Sequence, residues 1–467
     1  MFELIKQMQT MPLDEVAAML KTSPKALAEF EKAYAAQVLS APTSDNLFDV
    51  NAKQAAAQHA GIEVRSEDVE SMINEIVDDL VAMTQIWKYD GSAPKADYLA
   101  LPEYKGKITN DQIVALPAEM RPQLTANLMK ADIPAKSHLA LLEMYKGYLT
   151  CRSPKNKQAF YHRFRQGLDI LDLDPIMYEM IGTNQNSMGY WLPRMVDAVK
   201  AQSFFKIPKT TIIKVPMTML QLTRCEYSEL TRTTLDIVDR YCQRVFELDE
   251  QREYFIKTGT YSSKFDFRNA HVKGAKEVRE LGEYLLFIHF QALMMAAPLS
   301  SPCIYGVSTT NEWVVREFIQ DKENNPCIYK GLPLHTEYRV FVDFDTDKVI
   351  GVNPYWDPDV MKKRFGHSED SNSPHNIHDY VIYKAHEETL MKRYHDNVKT
   401  VTKKIKEMIP DVDLAGQWSI DVMQNGDDFW IIDMALAANS ALVECVPKRL
   451  LKPVQENWLP CLDATNE

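Results

Sequence analysis

Two short apolar segments near the C-terminus, Trp418 to Met423 (WSIDVM) and Phe429 to Met434 (FWIIDM), flank Gln424-Asn425-Gly426-Asp427-Asp428. Asn-Gly followed by aspartates between two β-prone runs specifies a hairpin. With a three-residue loop, Gly426 to Asp428, Asp421 and Asp433 fall directly opposite each other on one face. Cross-strand partners sit about 5 Å apart at Cβ, and two carboxylates that close repel unless a cation lies between them. Oxygen-only ligation suits Mg²⁺, which takes one or two carboxylates and completes its octahedron with water and nucleotide phosphates. In another register one aspartate points into solvent and no metal is required.

The rest of the composition narrows the partners. The chain has 53 basic and 65 acidic residues among 467, a net charge of -12, which disfavours nucleic acid as the main partner and leaves any anionic ligand to a local cluster. Seven cysteines show no CxxC and no framework spacing, as expected of reduced thiols in a cytoplasmic protein. No apolar signal core opens the sequence, and the longest apolar stretch, Tyr284 to Leu299, is interrupted by His289 and Gln291. It reads as a buried helix and not a membrane span. Glycine is scarce, 16 residues in all, and GxGxxG, GxxxxGK[ST], GxSxG and HExxH are missing, which removes the Rossmann, P-loop, hydrolase-elbow and zincin readings.

Residues 1–195 read as a mostly helical N-terminal domain, because apolar positions recur at three- and four-residue intervals. Within it, residues 14–34 have helix-turn-helix spacing around Ser23-Pro24, compatible with a bundle, a docking segment or DNA contact. Residues 151–165 form a basic patch with Tyr161 and Phe164 interleaved, either a solvated helix face or a contact for an acidic substrate or nucleic acid, and residues 87–117 are a turn-rich connection. A linker subdomain spans 196–248, with FKIPKTTIIKVP as a β-branched run. A two-lobed nucleotide domain spans 249–450 and a tail 451–467. Strand pairs with interspersed helices make the expected class α+β and not doubly wound.

Three further strands carry charge. YFIKTGTYSSKFDFRN delivers Lys257 into a turn rich in hydroxyls and N–H groups, with Lys264 and Arg268 downstream, as polyphosphate oxygens require. WVVREFIQ bears Arg316 and Glu317 beside Phe318 and Ile319; such a strand serves as a hinge offering main-chain groups to a base edge, or as a plain core strand with outward charges. In EYRVFVDF, Glu337, Arg339, Phe341 and Asp343 share one face. Arg339 and Glu337 there need partners: a phosphate and a ribose or metal, or each other. His367, His375 and His378 lie with Asp370 and Asp379 in a polar, turn-rich stretch, read as a loop near the cleft or as a transition-metal site.

The order of phosphate-loop lysine, hinge strand, Glu/Arg strand and paired carboxylates resembles the ATP-grasp superfamily over about half the chain. KTGTYSSKFDFRN, REFI, EYRVFV and the Asp421/Asp433 hairpin look like the phage and bacterial clade of that superfamily. They also look like the eukaryotic ATP-binding chaperones that assemble a translation initiation factor. The resemblance implies two α+β lobes sandwiching ATP, with Lys257 and Lys264 on phosphates and main chain near Glu317, Phe318 and Ile319 on adenine beside Arg316. It implies Glu337 and Arg339 at the ribose, metal or γ- or acyl phosphate, with Arg339 and Lys264 in the catalytic role, and Asp421 and Asp433 on Mg²⁺. Lys209 in IPKT, or Lys214, supplies a further phosphate contact. Many of the superfamily's ligases have asparagine two residues past the last aspartate, where this chain has Ala435; Asn439 substitutes if the chain turns back. The implied activity is a carboxylate–amine ligase acting on small-molecule, peptide or protein substrates through an acyl phosphate. The alternative is a non-catalytic ATP-binding assembly chaperone, and a nucleic-acid-associated role is the weakest reading.

Overall fold

The computed structural model describes residues 66–91, 184–224, 230–296, 310–366 and 374–452, with the single positions Glu15, Ala18, Ser23, Lys25, Gly182 and Tyr227. Apart from those single positions, the segment expected at 14–34 lies outside the described residues, as do 151–165, most of the 87–117 connection and nearly all of the tail.

In chain order the strands are β1 (Gln85–Tyr89), β2 (Phe205–Lys206), β3 (Thr210–Lys214), β4 (Tyr254–Thr258), β5 (His271–Val272), β6 (Glu312–Glu317), β7 (Cys327–Ile328), β8 (Leu332–Pro333), β9 (Thr336–Asp343), β10 (Lys348–Pro354), β11 (Gln417–Asn425) and β12 (Asp428–Leu436). The principal helices are α1 (Ser66–Met83), α2 (Met188–Gln202), α3 (Arg232–Phe246), α4 (Leu281–Ala296), α5 (Pro358–Gly366) and α6 (Pro374–Met408). Two five-stranded sheets result, ordered β1-β3-β6-β4-β5 and β10-β9-β11-β12-β2. The first is antiparallel throughout; in the second only the β12–β2 pairing is parallel. Sheets with helices packed against them make an α+β architecture.

Helix α4 packs against β4, α3 against α4, and α1 against α3, so these three layer over the first sheet. His289, the polar interruption in the α4 run, is buried because its Nδ1 accepts from the Trp313 indole N–H at 3.0 Å, and burial pushes its ring down to about 3. Helix α3 starts at Thr231, whose hydroxyl accepts from the Thr234 N–H at 3.2 Å, satisfying one of the helix's orphan donors. On the inner side, Trp87, Ile212 and Val314 of the first sheet enter the same apolar cluster as Val340, Ile420 and Ile431 of the second, Trp191 and Val196 of α2, and Val401 and Ile405 of α6. Burying each such side chain stabilises by about 1.5–3 kcal/mol.

Several boundaries differ from the sequence reading. Residues 85–89, inside the stretch expected to be mostly helical, form a strand paired to β3. Helix α2 runs through residue 195 without a break. The β-branched run at 205–214 splits between sheets: β2 pairs with β12 and β3 with β6, so Ile207-Pro208-Lys209 crosses between them. Helix α6 begins at Pro374 and includes His375 and His378, so the stretch read as a loop is helical there; His367 and Asp370 lie outside the described residues. No described helix is long and apolar enough to cross a membrane.

Candidate functional site

The hairpin of β11 and β12 brings Asp421 opposite Asp433, by a different route from the one expected. The turn is two residues, with Asn425 paired to Asp428, and the register shifts by one between Asp421 and Val422. Val422 faces Ile431 while Asp421 faces Asp433, so Ile432 is the extra residue of a β-bulge. The bulge is gripped from the other sheet. Arg316 of β6 donates to the Ile432 carbonyl at 2.6 Å, the Ile431 carbonyl at 3.5 Å and the Thr210 hydroxyl at 3.1 Å.

Register extends the acidic row across the second sheet: Asn353, Arg339, Asp421 and Asp433 are successive cross-strand partners on β10, β9, β11 and β12. Arg339 does not bridge to Glu337. Its Nε and Nη2 meet the two Asp421 oxygens at 2.8 and 2.6 Å, and Nη1 donates to the Ala441 carbonyl at 3.1 Å. Burial acts against the guanidinium, but Asp421 outweighs it and holds Arg339 charged above its ordinary value.

The first sheet contributes Lys257, near the end of β4. It is 2% exposed, and its Nζ lies 3.1 Å from Asp433 Oδ1. The turn after it does not open onto the cleft as expected. Gly259 lies against the start of α2, where an added Cβ would come within 2.0 Å of Ser187 Oγ, and its carbonyl accepts from Met188 N–H. Glu312, buried at the start of β6, accepts there from the Ser187 hydroxyl and the Gly189 N–H. From that turn Ser262 reaches the cleft, as does Lys264 in the 3₁₀ segment Lys264–Asn269.

Between the sheets opens a cleft of about 910 Å³, open solvent included, lined by the charged Lys257, Lys264, Glu337, Asp421 and Asp433 and by the apolar Phe255, Phe318, Ile319, Met423 and Ile432, its apolar slot. Such a lining suits a small ligand with one apolar and one charged part. Past β6 the main chain turns along this slot. The Glu317 and Phe318 N–H groups are bonded to the Lys209 and Glu253 carbonyls at 2.8 and 3.0 Å, while the Ile319 N–H has no hydrogen-bond partner among the described residues. Phe318 is held by a stack on His271, centroids 3.8 Å apart.

Electrostatics among the charged residues follow from burial. Glu337 has no ion pair within 4.0 Å among the described residues, and burial raises its carboxyl against the attraction of Lys264. Burial lowers the Lys264 ammonium, with Glu337 pulling the other way. Lys264 Nζ and Arg339 Cζ lie 4.3 and 4.7 Å from the centre of the Tyr355 ring, a cation–π arrangement that orders both cations. The carboxylates offer hard oxygen ligands and the ammonium groups suit anionic oxygens.

Of the residues singled out by sequence, Lys257, Lys264, Arg316, Glu317, Phe318, Ile319, Glu337, Asp421 and Asp433 line one cleft. The others do not reach its wall. Arg339 stands behind Asp421. Lys209 is exposed and contributes its carbonyl, and Lys214 sits at the opposite end of β3. Asn439 accepts from the Asn186 amide at 3.1 Å, away from Asp433. Tyr355, Trp356, Met423 and His335 line the cleft without having been foreseen, and Ser262 lines it from the hydroxyl-rich turn singled out in the sequence. The first two follow directly on β10, where a Tyr-Trp pair ending an apolar strand was the available signal. Asp321, Glu323 and His335 bring ligand atoms within 4.8 Å of one another. Asp321 is occupied by the Glu323 and Asn325 N–H groups at 3.1 and 2.6 Å, and Glu323 by Arg393 at 3.3 Å.

Beside the row, the chain after β12 folds back over the second sheet. Ala437, Leu442 and Val446 pack on Phe341 and Ile350, and Gly351 admits Val446, whose Cγ2 would lie 2.9 Å from an added Cβ. Ser440 closes the strap through a 2.6 Å hydrogen bond with Ser419, which pairs with Ala435.

No family model matches the sequence, and no curated protein matches it. Among solved structures the chain is similar to Cdc123 from Schizosaccharomyces pombe, at 14% identity over 59% of this chain and 95% of that one, with a TM-score of 0.33. A C-terminally truncated form of the same protein gives 14%, 58%, 94% and 0.33.

Proposed function

We propose that this chain is a Mg·ATP-binding protein of ATP-grasp type, working as an assembly factor or partner-binding protein whose nucleotide fixes the two sheets relative to each other. The observation that carries the reading is one cleft between two sheets that gathers Lys257, Lys264, Glu337, Asp421 and Asp433 beside an apolar slot with an unbonded Ile319 N–H. The donor set fits the group. Asp421 and Asp433 would hold the cation, Lys257 and Lys264 the phosphates, and Phe318, Ile319, Met423 and Ile432 the base.

Bound there, Mg·ATP supplies charge neutralisation and a polarised terminal phosphoryl group. The chain's own groups do the rest. Arg339 orients Asp421 through both of its carboxylate oxygens, Arg316 holds the bulge that aims Asp433, and Tyr355 fixes Lys264. Binding without ligation is favoured by the strap at 437–446. It packs on Phe341 and Ile350 of the sheet, and its Ala441 accepts from Arg339, so the guanidinium expected on an acyl phosphate holds a main-chain carbonyl instead. The ligase is the second reading, favoured by Lys264, a cation that lines the cleft without an ion pair within 4.0 Å among the described residues.

The reading is tested by calorimetric titration with Mg·ATP, comparing wild type with Lys264→Ala, alongside ADP release with and without amino-acid and lysate pools. Micromolar binding, weakened at least about tenfold in the variant, with no substrate-dependent ADP release, is the expected result. Substrate-dependent turnover would move the assignment to the ligase. No binding at all would end both.

A further inference from the structure

We propose that the cleft accepts a divalent cation and a polyphosphate only as a set, with the Lys257–Asp433 ion pair as the element that couples them. The inference rests on the Mg·ATP reading and adds to it how the two components depend on each other.

Both members of the pair line the cleft. Lys257 is 2% exposed, so its ammonium has little access to water, and Asp433 is the carboxylate within 4.0 Å of it among the described residues. A cation arriving alone and drawing off Asp433 would strand a buried ammonium and place a second positive charge beside it. Two positive charges side by side repel, and that repulsion opposes binding of the cation alone. A polyphosphate arriving alone and drawing off Lys257 would leave Asp433 facing Asp421 and the phosphate oxygens, all negative. When both arrive, the ammonium exchanges a carboxylate for a phosphate oxygen and the carboxylate exchanges an ammonium for a cation. No charge is left over.

Neighbouring groups do not bypass this exchange. Both Asp421 oxygens are held by Arg339 at 2.8 and 2.6 Å, so Asp421 does not turn to Lys257. Arg316 donates to Thr210, Ile431 and Ile432, so it does not take up Asp433. Because Lys257 stands on β4 of one sheet and Asp433 on β12 of the other, the exchange also acts on the contact between the sheets.

The coupling is measured by calorimetry on the full chain after EDTA treatment and desalting, titrating ATP with and without Mn²⁺, and Mn²⁺ with and without ATP. In wild type each ligand should tighten the other by about 30-fold or more, and reciprocally. Asp433→Asn releases Lys257, so metal-free ATP should bind about tenfold more tightly than to wild type while the Mn²⁺ enhancement drops below about threefold. Lys257→Met releases Asp433, so Mn²⁺ without nucleotide should bind more tightly than to wild type. The two variants are reciprocal, and either one decides the matter if circular dichroism shows the other misfolded. Mutual enhancement below about threefold in wild type, or metal-free ATP binding in Asp433→Asn no tighter than in wild type, overturns the proposal. Wild type that binds no ATP with or without Mn²⁺ instead removes the nucleotide reading beneath it.

Discussion

The cleft carries two ion pairs of similar chemistry in different surroundings. Arg339 and Asp421 stand on adjacent strands of one sheet, joined at both carboxylate oxygens, with 13% and 6% of their side chains exposed. Lys257 and Asp433 come from different sheets and meet through one oxygen at 3.1 Å, with Asp433 42% exposed. A planar fork on a carboxylate is fixed in two directions at once, whereas an ammonium is a point charge with no preferred plane. Strand register therefore locks the first pair, while the second depends on the spacing between sheets. One belongs to what holds the fold, and the other to what a ligand can separate.

The largest effect should come from breaking the locked pair. Asp421→Ala leaves Arg339 charged and shielded from water, which costs about 3–5 kcal/mol. Urea denaturation of wild type, Asp421→Ala and the double variant Asp421→Ala/Arg339→Met measures it. The double variant should recover much of the loss, because the uncompensated charge is gone. A single-variant loss below about 1 kcal/mol would place this pair with ordinary surface bridges and dissolve the contrast.

A third carboxylate sharpens the comparison, since Glu337 is buried with neither a fork nor an ammonium within 4.0 Å among the described residues. Burial raises it from 4.5 to about 8. The sign follows. Between these values the folded chain holds a proton that the unfolded chain has released, so stability falls as pH rises from about 4.5 through 8. Below that window Glu337 makes no difference. Unfolding free energy measured from pH 5 to 8 should decline by about 3–4 kcal/mol on this account, and Glu337→Gln should flatten the decline. A variant with the same slope as wild type would assign the pH dependence elsewhere.

These differences also mark where the sequence was legible. Alternation put Glu337 and Arg339 on one face of β9 and Asp421 and Asp433 on one face of the hairpin, and in the structure these pairs hold and join through Arg339 and Asp421, because a strand's side-chain period is fixed at two. What alternation did not reveal was partner choice. Arg339 meets Asp421 because those residues are cross-strand neighbours, a relation between segments about 80 residues apart that no local pattern records. The Asp421–Asp433 facing was anticipated with the wrong turn, since a two-residue turn plus a bulge at Ile432 gives the same facing as a three-residue loop. Loop-borne groups were read less well. Thr258-Gly259 carries the hydroxyl and glycine expected of a phosphate turn, yet packs against Ser187 and Glu312, a tertiary contact that composition does not encode. Lys209 and Lys214 do not line the cleft: Lys209 gives its carbonyl to Glu317 at the crossing between sheets, and Lys214 stands at the far end of β3.

Arg316 tests whether the bulge is what places Asp433. Arg316→Lys keeps a cation but loses the fork that serves Thr210, Ile431 and Ile432. Stability should fall by about 1–2 kcal/mol, and the Mn²⁺ enhancement of ATP binding should fall with it, because Asp433 no longer holds its position opposite Asp421. Crosspeaks of Ile432 and Asp433 in amide-resolved spectra should shift more than those of Val422. Unchanged coupling with lost stability would make Arg316 a structural brace and separate the bulge from the site.

The smallest effect on stability is expected where the ligand effect is greatest. Asp433→Ala removes a carboxylate that is 42% exposed and bonded to Lys257 at one oxygen, and solvent screening limits such a pair to about 0–1 kcal/mol. The Lys257 ammonium left behind is the term that opposes this, since it is 2% exposed; it lines an open cleft, however, and a modest side-chain movement restores its hydration. Chemical denaturation of Asp433→Ala should therefore fall within about 1 kcal/mol of wild type, while the part of the ATP-induced thermal shift that depends on added Mg²⁺ is lost. Set beside Asp421→Ala, the result separates the two pairs by ordering them oppositely in stability and in ligand response. A loss for Asp433→Ala equal to that for Asp421→Ala would mean that the contact between the sheets is as rigid as the register within one, and that Lys257 and Asp433 do not come apart for a ligand.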